Sequence, residues 1–341
     1  MGNMIREAIS KVVSGGDLSE DEASACMQEL MSEEATASQA AALLVALRMK
    51  GETADEIAGM VRVMREKALR VQVAGDVLDV VSTGGGRFDP FNISTAAALV
   101  CAGAGVRVAK HGNRGFTSAS GAADVLEALG AKLELTAEQT ATCIEQTGFG
   151  FLFAQSLHPA MRFVGPTRRE IGVRTIFNSL GPLTNPAGAQ FQLLGVGDAA
   201  MAEKVASVLG RLGVGRALVV HSEDGLDEVS LGAPTTVHEL AGNTSKTYTL
   251  TPEEAGFTRI ALSEVKTGTK DENADRLRAV MAGKPGADRE YTLINAGAAL
   301  LAVNRVSSVK EGSEMARQSV DSGAAAKVLD AYVAATRSFE A

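Results

Sequence analysis

Residues 77–103, VLDVVSTGGGRFDPFNISTAAALVCAG, decide the fold class of this chain. An apolar strand, Val77 to Val81, runs into a glycine-rich loop, and the loop runs into a helix of small apolar residues. Further strand-like runs are VRVAK, FGFLFA, FQLLGVG and RALVVHS, with helical segments such as 136–147 and 201–212 between them. This alternation predicts an α/β fold in which a mostly parallel central sheet is flanked by helices.

The two ends of the chain follow other patterns. Before residue 74 we predict only helices, because Ser19-Glu-Asp-Glu22 and Thr53-Ala-Asp-Glu56 both fit a capping box and precede apolar residues at helical spacing. After Tyr248 we predict a pair of strands, TYTL and FTRIAL. Helices are expected to follow near 271–282, 293–303 and 312–336.

Composition excludes several classes of protein. With 45% apolar residues among 341 and no apolar run of about 18, the chain is expected to be globular and not to span a membrane. The N-terminus lacks the pattern of a secretory signal, so we expect a cytoplasmic protein. A net charge of −8 and the absence of tryptophan argue against a nucleic-acid surface. Cys26, Cys101 and Cys143 lie in apolar helical patterns and are expected to be buried, reduced thiols.

Two loops have the composition of anion sites. In the first, Gly84 to Gly86 offer bare amides at positive φ, while Asn92, Ser94 and Thr95 are expected to cap the following helix and to face a ligand. The second, VAKHGNRGFTSASG at 108–121, sets Lys110, Asn113 and Arg114 among glycines in a segment that reads as too polar for a core. Both loops precede helices, whose N-termini attract anions. We therefore expect a ligand with two phosphate groups.

Two further segments suggest partners for such a ligand. In HSEDGLDEVSLGAP, which ends at Pro234, four carboxylates follow a strand, and hard oxygen ligands of this kind suit Mg²⁺. The alternative is a solvated acidic loop. Residues 158–187 contain four arginines among prolines and glycines, and arginine is suited to bidentate capture of a carboxylate. Spacing alone does not say which arginine reaches a ligand.

The motifs STGG…FNIST, VAKHGNR, HPAMR…RTIFN.LGPL.NPA and HS.DGLDE.S together resemble the anthranilate phosphoribosyltransferase family over nearly the whole chain. The resemblance implies a nucleoside-phosphorylase-like α/β domain at 74–341. It also implies a smaller all-helical domain at 1–73, joined in space by an insertion near 165–190, and a homodimer. The implied reaction converts anthranilate and 5-phosphoribosyl-1-diphosphate into N-(5-phosphoribosyl)anthranilate and pyrophosphate, with Mg²⁺.

The resemblance also implies roles for individual residues. Expected catalytic residues are Lys110, Asn113 and Arg168. Residues expected to bind phosphoribosyl diphosphate are Ser82, Gly85, Gly86, Pro90, Asn92, Ile93, Ser94, Thr95, Lys110, His111, Gly112, Asn113, Arg114, Ser118 and Ala122. Residues expected to bind anthranilate are Ser82, Asn113, His158, Arg168, Gly181 and Pro182. Ser94, Asp227 and Glu228 are expected to serve the metal.

Four positions depart from the family pattern: Ser82, Gly86, Pro90 and Ala122. A carboxylate and two hydroxyls are lost there, and Arg87 is hypothesised to compensate as a cation beside the diphosphate. Two rival functions stay open. One is a pyrimidine-nucleoside phosphorylase, which acts at the same sugar carbon and has a similar glycine loop. The other is a non-catalytic relative that binds nucleic acid or a protein partner.

Overall fold

A seven-stranded sheet forms the centre of the protein. The computed structural model describes residues 4–115, 120–242 and 244–340. The strands are β1 Leu78–Ser82, β2 Val108–Gly112, β3 Phe149–Phe153, β4 Phe191–Gly195, β5 Arg216–Ser222, β6 Thr235–Ala241 and β7 Thr244–Leu250. They lie in the order β3-β2-β1-β4-β5-β6-β7, with β1 to β5 parallel and β6 and β7 antiparallel. The predicted α/β class with a mostly parallel sheet is confirmed.

Helices cover both ends of the chain and the connections between strands. The N-terminal helices are α1 Met4–Val13, α2 Glu20–Leu30, α3 Ala37–Lys50 and α4 Ala54–Lys67. Between strands lie α5 Ile93–Gly103, α6 Ala122–Ala128, α7 Ala137–Thr147, α8 Ala154–Leu157, α9 Gly165–Ile171, α10 Ile176–Leu180 and α11 Ala199–Arg211. After β7 follow α12 Lys270–Met281, α13 Ala287–Ala302, α14 Val309–Asp321 and α15 Ala324–Arg337. Short 3-10 helices occur at Pro159–Arg162, Gly181–Leu183, Leu262–Val265 and Ser338–Glu340.

Two predictions about the C-terminal half are wrong. FTRIAL is not a strand, because the chain turns after Pro252, whose carbonyl accepts a hydrogen bond from Phe257 N. The partner of TYTL is instead β6, whose alternating burial suits a strand with one covered face. The single helix expected at 312–336 is two helices, α14 and α15. Gly323 separates them in a left-handed conformation, with φ of 74°.

The order of the strands places the functional loops. Strand β1 lies at the centre of the parallel strands, with β2 on one side and β4 on the other. In sheets of this type ligands bind at the carboxyl ends of the strands where the order reverses. The loops after β1, β2, β4 and β5 all leave that edge of the sheet.

Two large hydrophobic clusters and a smaller third one, which contains Ala109 of β2 and Leu152 of β3, pack on the sheet. One large cluster contains α5, α13, α14 and α15 and includes Cys101 and Cys143, while the other contains α1 to α4, α10 and α11 and includes Cys26. All three cysteines are buried free thiols, as predicted. Helix α9 packs against α3, and α10 packs against α3 and α4. Within the described part of the chain, no helix combines the length and the apolarity needed to cross a bilayer.

The predicted capping boxes of α2 and α4 are present. In α4 the capping carboxylate of Glu56 is fully buried and accepts hydrogen bonds from Thr53 N at 2.8 Å, Leu18 N at 3.0 Å and Lys50 Nζ at 3.1 Å. In α2 the corresponding Glu22 is partly exposed and pairs with Lys11. The capping carboxylate of α4 is therefore expected to contribute more to the stability of the fold than that of α2.

We predict that Glu56→Ala lowers the free energy of unfolding by about 3 kcal/mol, because it leaves the backbone donors Leu18 N and Thr53 N without their acceptor and removes one of the two carboxylate partners of Lys50. Urea unfolding measures this loss. The matched control, Glu22→Ala, removes an exposed member of the same motif and is expected to cost less. Equal losses for the two variants would contradict the argument.

Candidate active site

The loops that leave the carboxyl edge of the sheet contact one another. We call residues 83–92, after β1, the glycine loop and residues 223–234, after β5, the acidic loop. Arg87 N donates to Gly225 O at 3.0 Å, and Ser94 N, at the start of α5, donates to Glu228 Oε1 at 3.0 Å. Thr83 N donates to Gly195 O, at the end of β4, at 2.9 Å. The predicted anion loop and the predicted metal loop thus form one site.

Close backbone packing explains why Gly86 stands where the family pattern has an acid. A Cβ atom built on Gly86 would lie 2.8 Å from Gly225 O and 3.0 Å from Asp227 Oδ1. A carboxylate at this position would also add a negative charge beside Asp227. With the loops in this arrangement, the position admits no side chain.

Lys110 and His111 are buried strand residues, so the prediction that this segment is too polar for a core is wrong at these positions. Lys110 Nζ donates to Val80 O and, at 3.3 Å, to Ser94 Oγ. Burial lowers the pKa of Lys110 to about 8, against the opposing charges of Asp79 and Glu228. The lysine therefore belongs to strand β2, with its ammonium between β1 and the start of α5, and not to the loop that follows β2.

Asp79 is a buried residue of this site that sequence analysis missed. Its carboxylate accepts from His111 N at 3.0 Å and from Asn185 Nδ2 at 2.8 Å. Burial raises the pKa of Asp79 to about 6, although Lys110 opposes the shift. A lone aspartate within an apolar strand could have signalled this role, because a buried charge requires partners.

Asp227 and Glu228 form a buried acidic pair. Burial raises the pKa of both carboxyls, and the charge of Asp227 raises that of Glu228 further. Glu228 Oε2 is buried with no hydrogen-bond partner among the described residues. The side chain of Ser82 acts against this rise in the pKa of Asp227.

This donor set fits Mg²⁺. The described residues contain no cluster of three histidine, cysteine or acidic side chains that would form a protein cage for a metal. Magnesium typically takes one or two carboxylates together with waters and substrate phosphates. The carboxylates of Asp227 and Glu228, one of which has a buried oxygen without a partner, and the Ser94 hydroxyl meet that description.

A cavity of about 700 Å³ opens beside the end of β1 and the residues that follow β2. All residues expected to bind anthranilate line it: Ser82, Asn113, His158, Arg168, Gly181 and Pro182. The guanidinium of Arg168 lies over the Phe177 ring, 4.8 Å from its centroid. Burial lowers the pKa of Arg168 to about 10, and no described carboxylate lies within 4.0 Å of it. The cavity thus presents a partly buried cation that lacks a protein anion.

Two neutral histidines form part of the cavity wall. Burial lowers the pKa of His111 to about 3 and that of His158 to about 4. His111 Nδ1 lies 3.0 Å from Gly181 O, which can only accept, so this nitrogen carries the proton. His111 Nε2 then accepts from His158 Nε2 at 3.2 Å. His158 Nδ1 is left as a buried acceptor without a partner in the described part of the chain.

Several expected donor-binding residues have protein partners. Arg114 pairs with Asp124 and, through two hydrogen bonds, with Glu127. Asn92 does not cap α5 with its side chain, contrary to prediction; its amide donates to Ser120 O and accepts from Asn273. Glu228 supplies the missing cap from another loop.

The remaining expected residues are placed as follows. Ile93 and Thr95 are buried in the first turn of α5, and Thr95 Oγ1 has no described partner. Pro90 forms a β-bridge with Lys266, Ala122 begins α6, and Gly112 ends β2. Ser118 lies outside the described residues.

Arg174 is a second residue that sequence analysis did not single out. Its Nη2 donates to Thr83 O at 2.9 Å and to Gly84 O at 3.0 Å, and its guanidinium lies against Gly85. A Cβ atom on Gly85 would lie 2.3 Å from Arg174 Cζ, so the contact requires glycine. Arg174 stands in a stretch with three other arginines, and their spacing in the sequence does not show which of them contacts the glycine loop.

Comparisons with known proteins agree with this arrangement. Residues 74–326 match the model of the glycosyl transferase family a/b domain, and residues 6–68 match that of its helical bundle domain. The chain is 52% identical over 327 residues to an anthranilate phosphoribosyltransferase of Symbiobacterium thermophilum, covering 96% of each chain.

Two solved structures are also similar to the chain. Anthranilate phosphoribosyltransferase from Thermus thermophilus is 46% identical with a TM-score of 0.91, covering 97% of this chain and 99% of the other. The Saccharomyces cerevisiae enzyme, solved in complex with PRPP and Mg, is 27% identical with a TM-score of 0.91, covering 99% of each chain.

Proposed function

The chain belongs to the anthranilate phosphoribosyltransferase family, and on that premise we propose that it transfers the phosphoribosyl group of 5-phosphoribosyl-1-diphosphate to the amine of anthranilate. The products are N-(5-phosphoribosyl)anthranilate and pyrophosphate, in tryptophan biosynthesis. One observation carries the proposal. The cavity that contains Arg168 is also lined by Ser82 and Asn113. Ser82 ends β1, which leads into the glycine loop, and Asn113 directly follows β2. Acceptor and donor can therefore meet at the carboxyl edge of the sheet.

The donor's diphosphate is assigned to the glycine loop and to the first turn of α5. Backbone amides and a helix N-terminus at this point favour anions. Ser94, Asp227 and Glu228 would hold Mg²⁺, and the unpartnered Glu228 Oε2 supports that assignment. The chemistry that Mg²⁺ supplies at such a site is neutralisation of negative charge on the departing pyrophosphate.

Lys110 contributes a buried positive charge close to the start of α5. Its Nζ lies 3.3 Å from Ser94 Oγ, so it adds to the field felt by an anion at the start of α5. As the bond from C1 to the diphosphate breaks, negative charge grows on the leaving group, and a preorganised cation in a buried site stabilises that charge. This chain needs no covalent nucleophile for the transfer.

The acceptor is assigned to the cavity. The guanidinium of Arg168 would bind the anthranilate carboxylate through two hydrogen bonds, and Asn113, His158, Gly181 and Pro182 would line the ring. The aromatic amine is neutral near pH 7 and needs only to be oriented toward C1, so the main effect of this cavity is proximity.

The proposal extends to the setting of the enzyme. We assign it a homodimer, a cytoplasmic location and two domains, with residues 1–73 and an insertion near 165–190 forming the helical one and residues 74–341 forming the α/β one. Packing of α9 and α10 against α3 supports the grouping of the insertion with the N-terminal helices.

The direct test mixes the purified protein with anthranilate, 5-phosphoribosyl-1-diphosphate and Mg²⁺ and follows anthranilate fluorescence. We expect a loss of fluorescence that requires all three components. A parallel reaction supplies inorganic phosphate with thymidine or uridine. Phosphate-dependent release of the free base, with no loss of anthranilate, would replace the proposal with the phosphorylase.

We predict that Arg168→Ala lowers kcat/KM for anthranilate about 10- to 100-fold, because one charge-assisted contact is worth roughly 1.5 to 3 kcal/mol. Steady-state kinetics at saturating donor measures the effect. Arg6, which is exposed on α1 and does not line the cavity, provides the control, and Arg6→Ala is expected to change the rate little. An unchanged KM and kcat in Arg168→Ala would refute the assignment.

We also predict that kcat/KM for the donor falls as pH rises through about 8, where buried Lys110 loses its proton in the free enzyme. The sign follows because only the protonated ammonium attracts the diphosphate. Lys110→Met is expected to be slower at pH 7 and to lack this alkaline limb. Persistence of the limb in the variant would assign the titration to another group.

A further inference from the structure

The backbone that carries the acidic pair is held by a side chain from outside the acidic loop. Asn295, on α13, accepts from Val229 N at 2.9 Å through Oδ1 and donates to Val229 O at 2.9 Å through Nδ2. Val229 directly follows Glu228. The amide of Asn295 therefore satisfies both backbone groups of the residue next to the pair, in the manner of a neighbouring strand.

Asn295 is itself fixed. It is 2% exposed, and every residue of α13 from Tyr291 to Ala302 is buried. Its Nδ2 also donates to Tyr291 O at 2.9 Å, one turn earlier in the helix. Because Asn295 is anchored in this way, its side chain fixes the backbone of the acidic loop relative to the buried helix α13.

A second set of bonds holds the opposite side of the same segment. Ser222 Oγ donates to Glu228 O at 2.7 Å and lies 2.6 Å from Thr235 Oγ1. Both hydroxyl oxygens lie 3.2 Å from Ser230 N. Residues 228–230 are thus clamped between the sheet and α13, while the two carboxylates project from the clamped backbone.

We infer that Asn295 is a positioning residue for the Asp227–Glu228 pair, acting through the Val229 backbone to set these carboxylates for a divalent cation. This inference rests on the proposed function, since it takes the pair as the metal site. Asparagine suits the task because it offers a donor and an acceptor in one short planar group. Aspartate keeps the size but loses the donor, and alanine loses both groups.

The test measures cation binding as well as activity. Mn²⁺ replaces Mg²⁺, and electron paramagnetic resonance follows its binding to the full-length protein in the presence of 5-phosphoribosyl-1-diphosphate. Partners that orient metal ligands typically change metal affinity about 10- to 100-fold when removed. We therefore expect Mn²⁺ binding to be weaker by about 10-fold or more in Asn295→Ala and Asn295→Asp, with a matching rise in the Mg²⁺ needed for half-maximal rate and little change in KM for anthranilate.

The matched control is Thr292→Val in the same helix. Thr292 is fully buried and donates to Asp288 O at 2.7 Å, so the substitution removes a buried hydrogen bond of α13 that does not reach the acidic loop. We expect a similar loss of stability but unchanged Mn²⁺ binding. Weaker stability with wild-type Mn²⁺ affinity in both Asn295 variants would overturn the inference.

Two outcomes separate this inference from the proposed function. If the wild-type protein binds no Mn²⁺ with the donor present, the metal assignment itself fails. If the wild type binds Mn²⁺ and the Asn295 variants bind it equally well, only the role of Asn295 fails. Should neither variant fold, amide hydrogen exchange of the wild type decides: we expect Val229 to be strongly protected, and exchange as fast as that of Asp224, whose amide donates no hydrogen bond to the described residues, would overturn the inference.

Discussion

The site depends on a group of charges that the fold removes from water. Lys110 and the carboxyls of Asp79, Asp227 and Glu228 are all buried, with Asp79 and Lys110 on the neighbouring strands β1 and β2 and the acidic pair in the loop after β5. Burying an ionised group is costly unless it is paired; here Asp79 and Glu228 share the charge of Lys110, and Arg174 is the cation that acts on Asp227. The raised pKa values of the acids and the lowered pKa of the lysine record that cost. A divalent cation with an anionic ligand would relieve it, so the free site is preorganised for such a pair.

Each part of the fold supplies a different element of this arrangement. The sheet brings the strand ends together at the point where the strand order reverses. Helix α13 holds the backbone beside Glu228 through Asn295, and Glu228 in turn caps α5 at Ser94. The segment that contains α9 and α10 supplies Arg168 to the cavity and Arg174 to the glycine loop. The acidic loop and the glycine loop are therefore held by elements from both of the large hydrophobic clusters.

Some of the four departures from the family pattern have a local physical explanation. Gly86 lies so close to Gly225 O and Asp227 Oδ1 that the loops as packed leave no room for a side chain. Pro90 sits at a β-bridge to Lys266, and the side chain of Ser82 acts against the rise in the pKa of Asp227. Arg87 packs its side chain over Gly225, and its role as a cation beside the diphosphate stays a prediction. Nothing in the structure explains Ala122.

The sequence by itself determined the α/β class, the five parallel strands and the capping boxes, because periodicity and caps are local properties of the chain. It also located the glycine-rich, acidic and arginine-rich segments, because an unusual local composition can be read from the sequence without knowledge of the fold. Only the tertiary structure decided that Lys110 and His111 are buried and that Glu228, not Asn92, caps α5. It alone showed that Arg174 contacts the glycine loop, and it revealed Asp79 and Asn295. These features depend on partners far away in the chain, and burial and hydrogen bonding between distant residues leave no periodic mark in the sequence.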